Sequence, residues 1–160
     1  MLHYEPKALG QGYTIKVADA ADDLTGVLNL ISQAHLEGPY ANIPFEPGYV
    51  RDALAQTGEI DKKVLILLLY EGQIVGFLWA VISPSHLSSL MKIATELFWY
   101  VDYDHRGRYS LKLLEAFELW AKMQDCTHAN VSNVFSLEKV ERLYTKKGYV
   151  PVERSYMKAI

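Results

Sequence analysis

The 160-residue sequence has a single cysteine, Cys126, so it can form no intrachain disulfide. A reducing cytoplasm is the simplest setting for such a chain. The N-terminal stretch MLHYEPKALGQGY lacks the apolar core of a signal peptide. The longest apolar runs, VLILLLY and IVGFLWAVI, are too short to span a bilayer and read as buried strands, so no membrane partner is expected. Basic excess is missing too. A formal net charge of −3 leaves no overall footprint for nucleic acid, and any attraction to phosphate must be local. The five histidines, at 3, 35, 86, 105 and 128, show no metal-ligand spacing, and no metal is expected. GxSxG, GK[ST] and GxGxxG are all absent. Cys126 stands just before a strand and suits a small core position better than a nucleophile.

Half of the residues are apolar and 22% are charged, which fits one soluble globular domain over residues 1–160. Tyr13 to Ala18 reads as a short first strand. Asp19, Asp22 and Asp23 offer caps to a helix in which Leu24, Val27, Leu28, Ile31, Ala34 and His35 recur at helical spacing. Gly38 and Pro39 end it, and a second helix is expected from Pro47 to about Gln56. Lys63 to Tyr70 and Gln73 to Ile82 read as strands around Glu71-Gly72. Met91 to Val101 is a third, apolar on both faces apart from Glu96. In the helix after Arg108, Leu113, Leu114, Phe117, Trp120 and Ala121 share one stripe. Residues 128–133 read as a short strand. Leu137, Val140, Leu143 and Tyr144 mark a helix closed by Gly148, and Tyr149 to Lys158 supplies the last strand or pair. The order predicts an α/β (α+β) fold with a mixed, mostly antiparallel sheet and helices on both faces.

The segment DHRGRYSLKLLEAFELWAK, residues 104–122, follows directly on the strand-like ATELFWYV. It gathers His105, Arg106, Arg108 and Lys112 at the start of a helix. Basic side chains there oppose the helix dipole and cost stability unless an anion is present. The free N–H groups of that end bind anions. Gly107 lets the backbone come close to a ligand, Ser110 is small, and Arg106 and Arg108 can grip phosphate oxygens in a bidentate manner. The cluster suits a polyphosphate; a solvated turn with its arginines in water is the other reading.

Two segments resemble the GNAT superfamily of acyl-CoA-dependent N-acyltransferases. LFWYVDYDHRGRYSLKLLEAFELWAK is similar to its strand–pyrophosphate loop–helix unit. LEKVERLYTKKGYVPVERSYMK is similar to its C-terminal helix, LY-x-K-x-GY turn and last strand. With the element order, the resemblance covers residues 13–160, and the style is also similar to short GNAT-like proteins of phages. It implies acetyl-CoA as acyl donor, with coenzyme A held at two places. Phe98, Trp99, Tyr100 and Val101 would line the pantetheine arm. Arg106, Gly107, Arg108, Tyr109, Ser110 and Leu111 would surround the pyrophosphate. The family loop usually reads R-G-x-G-x-G/A, whereas Arg108 and Tyr109 stand here where glycine is common. The family also often has Asn seven residues before the helix tyrosine, where this chain has Leu137.

Acyl transfer to an amine needs a base for the amine, a polarised carbonyl and an acid for the leaving thiolate. Tyr144 matches the family's usual general acid, and a hydroxyl with a pKa of about 10 can do this work; as a core aromatic it would merely continue an apolar stripe. Glu96 is a candidate base, because burial would raise its pKa. Regular pleating points it away from the face of Leu97 and Trp99, so a bulge or turn decides its access; a buried polar partner is the alternative. Tyr40, Phe45, His86 and Tyr156 are candidates for the acceptor site. The expected activity is N-acetyl transfer to a primary amine, on a small molecule or a protein, by direct attack in a ternary complex. The alternative is a GNAT-shaped module without catalysis, such as a phage structural or host-interaction protein. The C-terminal strand could also pair across a homodimer.

Overall fold

A computed structural model describes residues 5–19, 24–56 and 62–160. Six strands, β1 (Lys7–Gly10), β2 (Tyr13–Val17), β3 (Lys63–Tyr70), β4 (Gln73–Pro84), β5 (Lys92–Val101) and β6 (His128–Asn130), form one sheet in sequential order. Neighbours pair antiparallel up to β5, and β5 and β6 run parallel. The parallel step follows from the helix between them, α3 (Ser110–Met123), which carries the chain back to the starting end of the sheet. The other helices are α1 (Thr25–Glu37), α2 (Pro47–Ala55) and α4 (Glu138–Lys146).

Strand β3 shows how the layers form. Val64, Ile66 and Leu68 pack with Leu113, Leu114 and Phe117 of α3. Leu65 and Leu67 point the other way, into Val27, Leu28 and Ile31 of α1. A strand covered on both faces has no polar side to present, so its sequence runs apolar without alternation. Each fully buried leucine contributes about 2 kcal/mol. The sheet therefore separates an α1–α2 core from an α3–α4 core, as the sequence order predicts.

Three elements differ from the sequence reading. A mostly exposed strand, β1, precedes the expected first strand, and too few of its residues are buried for periodicity to reveal it. Strand β6 stops at Asn130 instead of reaching residue 133, because Asn133 turns its side chain to Leu137 at the start of α4, bonding both the N–H and the carbonyl at 3.0 Å. The expected last strand, Tyr149 to Lys158, does not form: residues 151–160 are exposed throughout, and the sheet ends at β6. Pro151 removes one of its backbone donors. Of the expected caps, Asp22 and Asp23 lie outside the described residues, and Leu24 takes the N-cap position of α1 without a side-chain bond. Among the described residues no helix is long and apolar enough to cross a membrane.

Candidate active site

Strands β5 and β6 pair at three positions only, Ile93 with His128, Ala94 with Ala129 and Thr95 with Asn130. Beyond Thr95 they part and leave a fork. At the same point the β4–β5 register skips a residue between Trp79–Phe98 and Ala80–Glu96, so Leu97 is a β-bulge. The bulge reverses the side-chain parity of the strand. Before it Ala94 faces the α3–α4 core, and after it Trp99 and Val101 do, while Phe98 and Tyr100 pack towards α1. Glu96 thereby shares a face with Trp99, which regular pleating would forbid.

Glu96 is 6% exposed, the one buried charged residue among those described. Its Oε2 accepts the Ser132 N–H at 2.9 Å. The Tyr144 hydroxyl donates to the Ser132 carbonyl, also at 2.9 Å. One residue just past β6 thus holds a carboxylate on its amide and a phenol on its carbonyl. Burial pushes the Glu96 carboxyl up to about 7, opposed in part by the Ser132 N–H. Burial first, and the Glu96 charge second, hold the Tyr144 hydroxyl well above its ordinary value. Tyr144 is the buried side chain of α4, and its ring lies 6.4 Å from Trp99 and 5.6 Å from Tyr149.

The open edge of β5 follows from its pairing. Asp102 N–H donates to Val75 in β4, so by alternation Tyr100 and Phe98 also direct their backbone at β4, and Trp99 and Val101 direct theirs into the fork. The Val101 carbonyl is taken by Arg106 Nε at 2.9 Å.

After β5 a 3-10 turn, Tyr103–His105, leads into the loop before α3. Gly107 sits at φ +135°, a backbone conformation that favours glycine. Its N–H donates to Ser110 Oγ at 3.0 Å, and Ser110 N–H returns to the Gly107 carbonyl at 3.1 Å. The N–H groups of Arg108, Tyr109 and Leu111 take no part in the hydrogen bonds found among the described residues. The side chains of Arg108 and Tyr109 turn towards the β1–β2 turn. Arg108 donates to Gln11 Oε1 at 2.7 Å, and Tyr109 stacks on Tyr13 at 4.1 Å. Tyr13 bonds His105 Nδ1 at 2.9 Å, which ties the preceding turn to the same anchor.

Arg106 is held by Glu37 at 3.2 Å, with Tyr100 and Tyr103 beneath its guanidinium. Tyr100 donates to the other oxygen of Glu37 at 2.7 Å. Burial, then the bond to Glu37, pushes the Tyr100 hydroxyl up to about 12. The end of α1 is thereby pinned to the end of β5. The next residue reaches the other arm of the fork: a Cβ on Gly38 would lie 3.4 Å from the Phe135 ring and 3.0 Å from the Ala34 carbonyl oxygen.

The acceptor candidates scatter. Phe45 packs into the α1–α2 core with its ring 5.6 Å from His35, and Tyr40 lies half exposed in the turn after α1. His86 is exposed on the β4–β5 connection, at the end of the sheet opposite the Gly107 loop. Tyr156 is exposed in the C-terminal segment. Sequence reasoning did not single out Ser132, Glu37, Gln11 or Phe135. Glu37 did carry a signal: an acid in the last turn of a helix opposes the dipole and calls for a cation.

No protein-family model and no curated protein matches the sequence. Solved structures match the fold. Glucosamine-6-phosphate N-acetyltransferase from Arabidopsis thaliana is similar at TM-score 0.71 and 16% identity, over 92% of this chain and 97% of that one. AAC(6')-Iy, in complex with the bisubstrate analogue CoA-S-monomethyl-acetylneamine, is similar at TM-score 0.72 and 14% identity, over 92% and 97%. A GNAT family acetyltransferase from Staphylococcus aureus is similar at TM-score 0.68 and 16% identity, over 94% and 100%. The forked mixed sheet, the α3 crossover and the two helical layers together make this chain a protein of the GNAT acetyltransferase fold.

Proposed function

We propose that the protein is an N-acetyltransferase that moves an acetyl group from acetyl-CoA to a primary amine by direct attack, with both substrates bound together. The observation that carries the proposal is the Leu97 bulge, which brings Glu96 to the same residue, Ser132, that Tyr144 holds, at the apex of the fork.

The residues present suit coenzyme A. The Trp99 and Val101 backbone facing the fork could pair with the amides of a pantetheine arm. The N–H groups of Arg108, Tyr109 and Leu111, with the dipole of α3, suit a pyrophosphate. The side chains of Arg108 and Tyr109 are drawn aside by Gln11 and Tyr13, which leaves those amides uncovered by them. A fold neighbour that carries a CoA-containing bisubstrate analogue supports the same ligand. When bound, acetyl-CoA would supply an activated acyl group as a thioester. Glu96, titrating about 7, would take the amine proton and pass it to solvent. A β5 backbone N–H at the fork would polarise the carbonyl. Tyr144, neutral at any physiological pH, would give its proton to the departing sulfur. A cytoplasmic setting fits this donor.

Transfer of label from radioactive acetyl-CoA to a panel of primary amines (an aminoglycoside, an amino sugar phosphate, a peptide N-terminus) tests the reading. Tyr144→Phe should slow transfer by about 10²-fold while CoA still binds. Equal rates in the two proteins remove the acid role. The second reading, a GNAT-shaped module without catalysis, draws on the engaged heads of Arg106 and Arg108, which meet Glu37 and Gln11 in this structure. Under that reading CoA produces no heat in a calorimeter even at millimolar concentration.

A further inference from the structure

A closed ring of contacts runs around the fork. From the apex, β5 carries the chain from Glu96 to Val101, whose carbonyl accepts Arg106 Nε at 2.9 Å. Arg106 reaches Glu37, the last residue of α1, at 3.2 Å. Gly38 then lies against Phe135, so close that a Cβ there would stand 3.4 Å from the ring. From Phe135 the chain runs back to Ser132, whose N–H returns to Glu96 at 2.9 Å. The end of α1 thus bridges the two arms of the fork and turns it into a portal with Glu96 on its perimeter.

The perimeter is apolar and its charges are already paired. Leu97 and Val134 are 45% and 41% exposed, and Phe98 and Phe135 are half-buried. At positions 37–38, 96–101, 106 and 132–135 the carboxylates are Glu37 and Glu96. Arg106 donates to one oxygen of Glu37 and Tyr100 to the other. Glu96 is buried on the Ser132 amide. A second ammonium on a ligand finds no uncommitted carboxylate here, and burying it unpaired is costly. A flat apolar body loses water against Phe98, Val134 and Phe135 and needs no charge partner.

We propose that the acceptor is a primary monoamine on a flat apolar body, of the arylalkylamine class, admitted through this portal, with Val134 and Phe135 setting the preference. The proposal rests on the acetyltransferase reading and narrows it. With coenzyme A on the amides before α3, the donor fills the α3 side of the portal and the amine enters from the α1 side. Glu96 takes a proton from the neutral amine as the C–N bond forms, the C–S bond breaks, and the leaving sulfur takes the Tyr144 proton. A polyamine or an aminoglycoside would bring further ammonium groups beside Arg106, with no anion to receive them.

Ligand-observed NMR on the full chain, with CoA present, should show phenethylamine binding about tenfold or more tighter than spermidine. Val134→Asp adds a carboxylate at an exposed position and should cancel or reverse that preference with an unchanged circular dichroism spectrum. Val134→Ile should keep it. Spermidine binding as tightly as phenethylamine to the wild type overturns the proposal. So does an unchanged preference in Val134→Asp, or no phenethylamine binding at millimolar concentration. Binding needs no acetyl transfer, so the two readings fail separately. Phenethylamine that binds and is not acetylated sinks the enzyme and leaves the ligand class; spermidine acetylated in preference to phenethylamine does the reverse.

Discussion

A carboxylate taken out of water and left with a single N–H partner binds a proton more tightly than one in solvent. Glu96 is in this position, and the consequence can be followed in stability as well as in rate. The native state keeps the proton up to pH about 7, whereas the unfolded chain releases it near 4.5. The native state therefore holds more protons between those values. The contribution of Glu96 to stability is full below pH 4.5 and is lost as pH rises to about 7, by an amount on the order of 3 kcal/mol. Glu96→Gln, which can still accept the Ser132 N–H, should melt several degrees higher than the wild type at pH 8 and show a flatter pH dependence between 4.5 and 7. Parallel melting curves would mean that the carboxyl is not buried as described. In transfer assays kcat/KM should fall about tenfold per pH unit below 7 in the wild type, and Glu96→Gln should lose that limb together with most of its rate. Glu96 and Tyr144 were legible in the sequence, one as the lone charge in an apolar strand, the other by its motif. Ser132 was not, because it acts through its backbone, and any residue type would offer the same N–H and carbonyl.

At the scale of elements, the most consequential feature is a register skip of one residue. Composition carries no trace of it, because Leu97 would fit either a regular strand or a bulge; the skip exists only in the pairing of β4 with β5. Inserting one residue between Trp79 and Ala80 would give Leu97 a partner, restore regular pleating and set Glu96 and Trp99 on opposite faces. The insertion variant should lose transfer, whereas Leu97→Ala should keep it, since the register does not depend on that side chain. Equal activity in the two would detach the chemistry from the bulge. The loop before α3 allows a second test. Gly107→Ala must adopt φ near +135° or distort the loop, at a cost of about 1–3 kcal/mol, and should weaken CoA binding more than it lowers the melting temperature. The helices and the long strands were readable because each buries a stripe or a face. β1 escaped because it is exposed, and the segment after Tyr149 has the spacing of a strand but pairs with none in this structure.

For the whole molecule, two cores lie on either side of one sheet, and the fork opens where the last strand pairs least. The end of α1 is clamped to the end of β5 by Glu37, Arg106 and Tyr100, and the loop before α3 is clamped to the β1–β2 turn by Tyr13, Gln11 and His105. The fork is therefore held at its rim and sparsely held at β6. A ligand that bridges β5 and the Gly107 loop should stiffen this region. CoA at about a hundred times its dissociation constant should add about 2.7 kcal/mol of stability and raise the melting temperature by roughly 5–10 °C.

Titration calorimetry of CoA into the wild type and into Gly107→Ala decides whether the fork and the amides after Gly107 hold the cofactor. The wild type should give heat with a micromolar dissociation constant, and the variant a clearly weaker one. No heat at millimolar CoA, or equal affinity in both proteins, would contradict a cofactor site formed by the fork and the amides that follow Gly107.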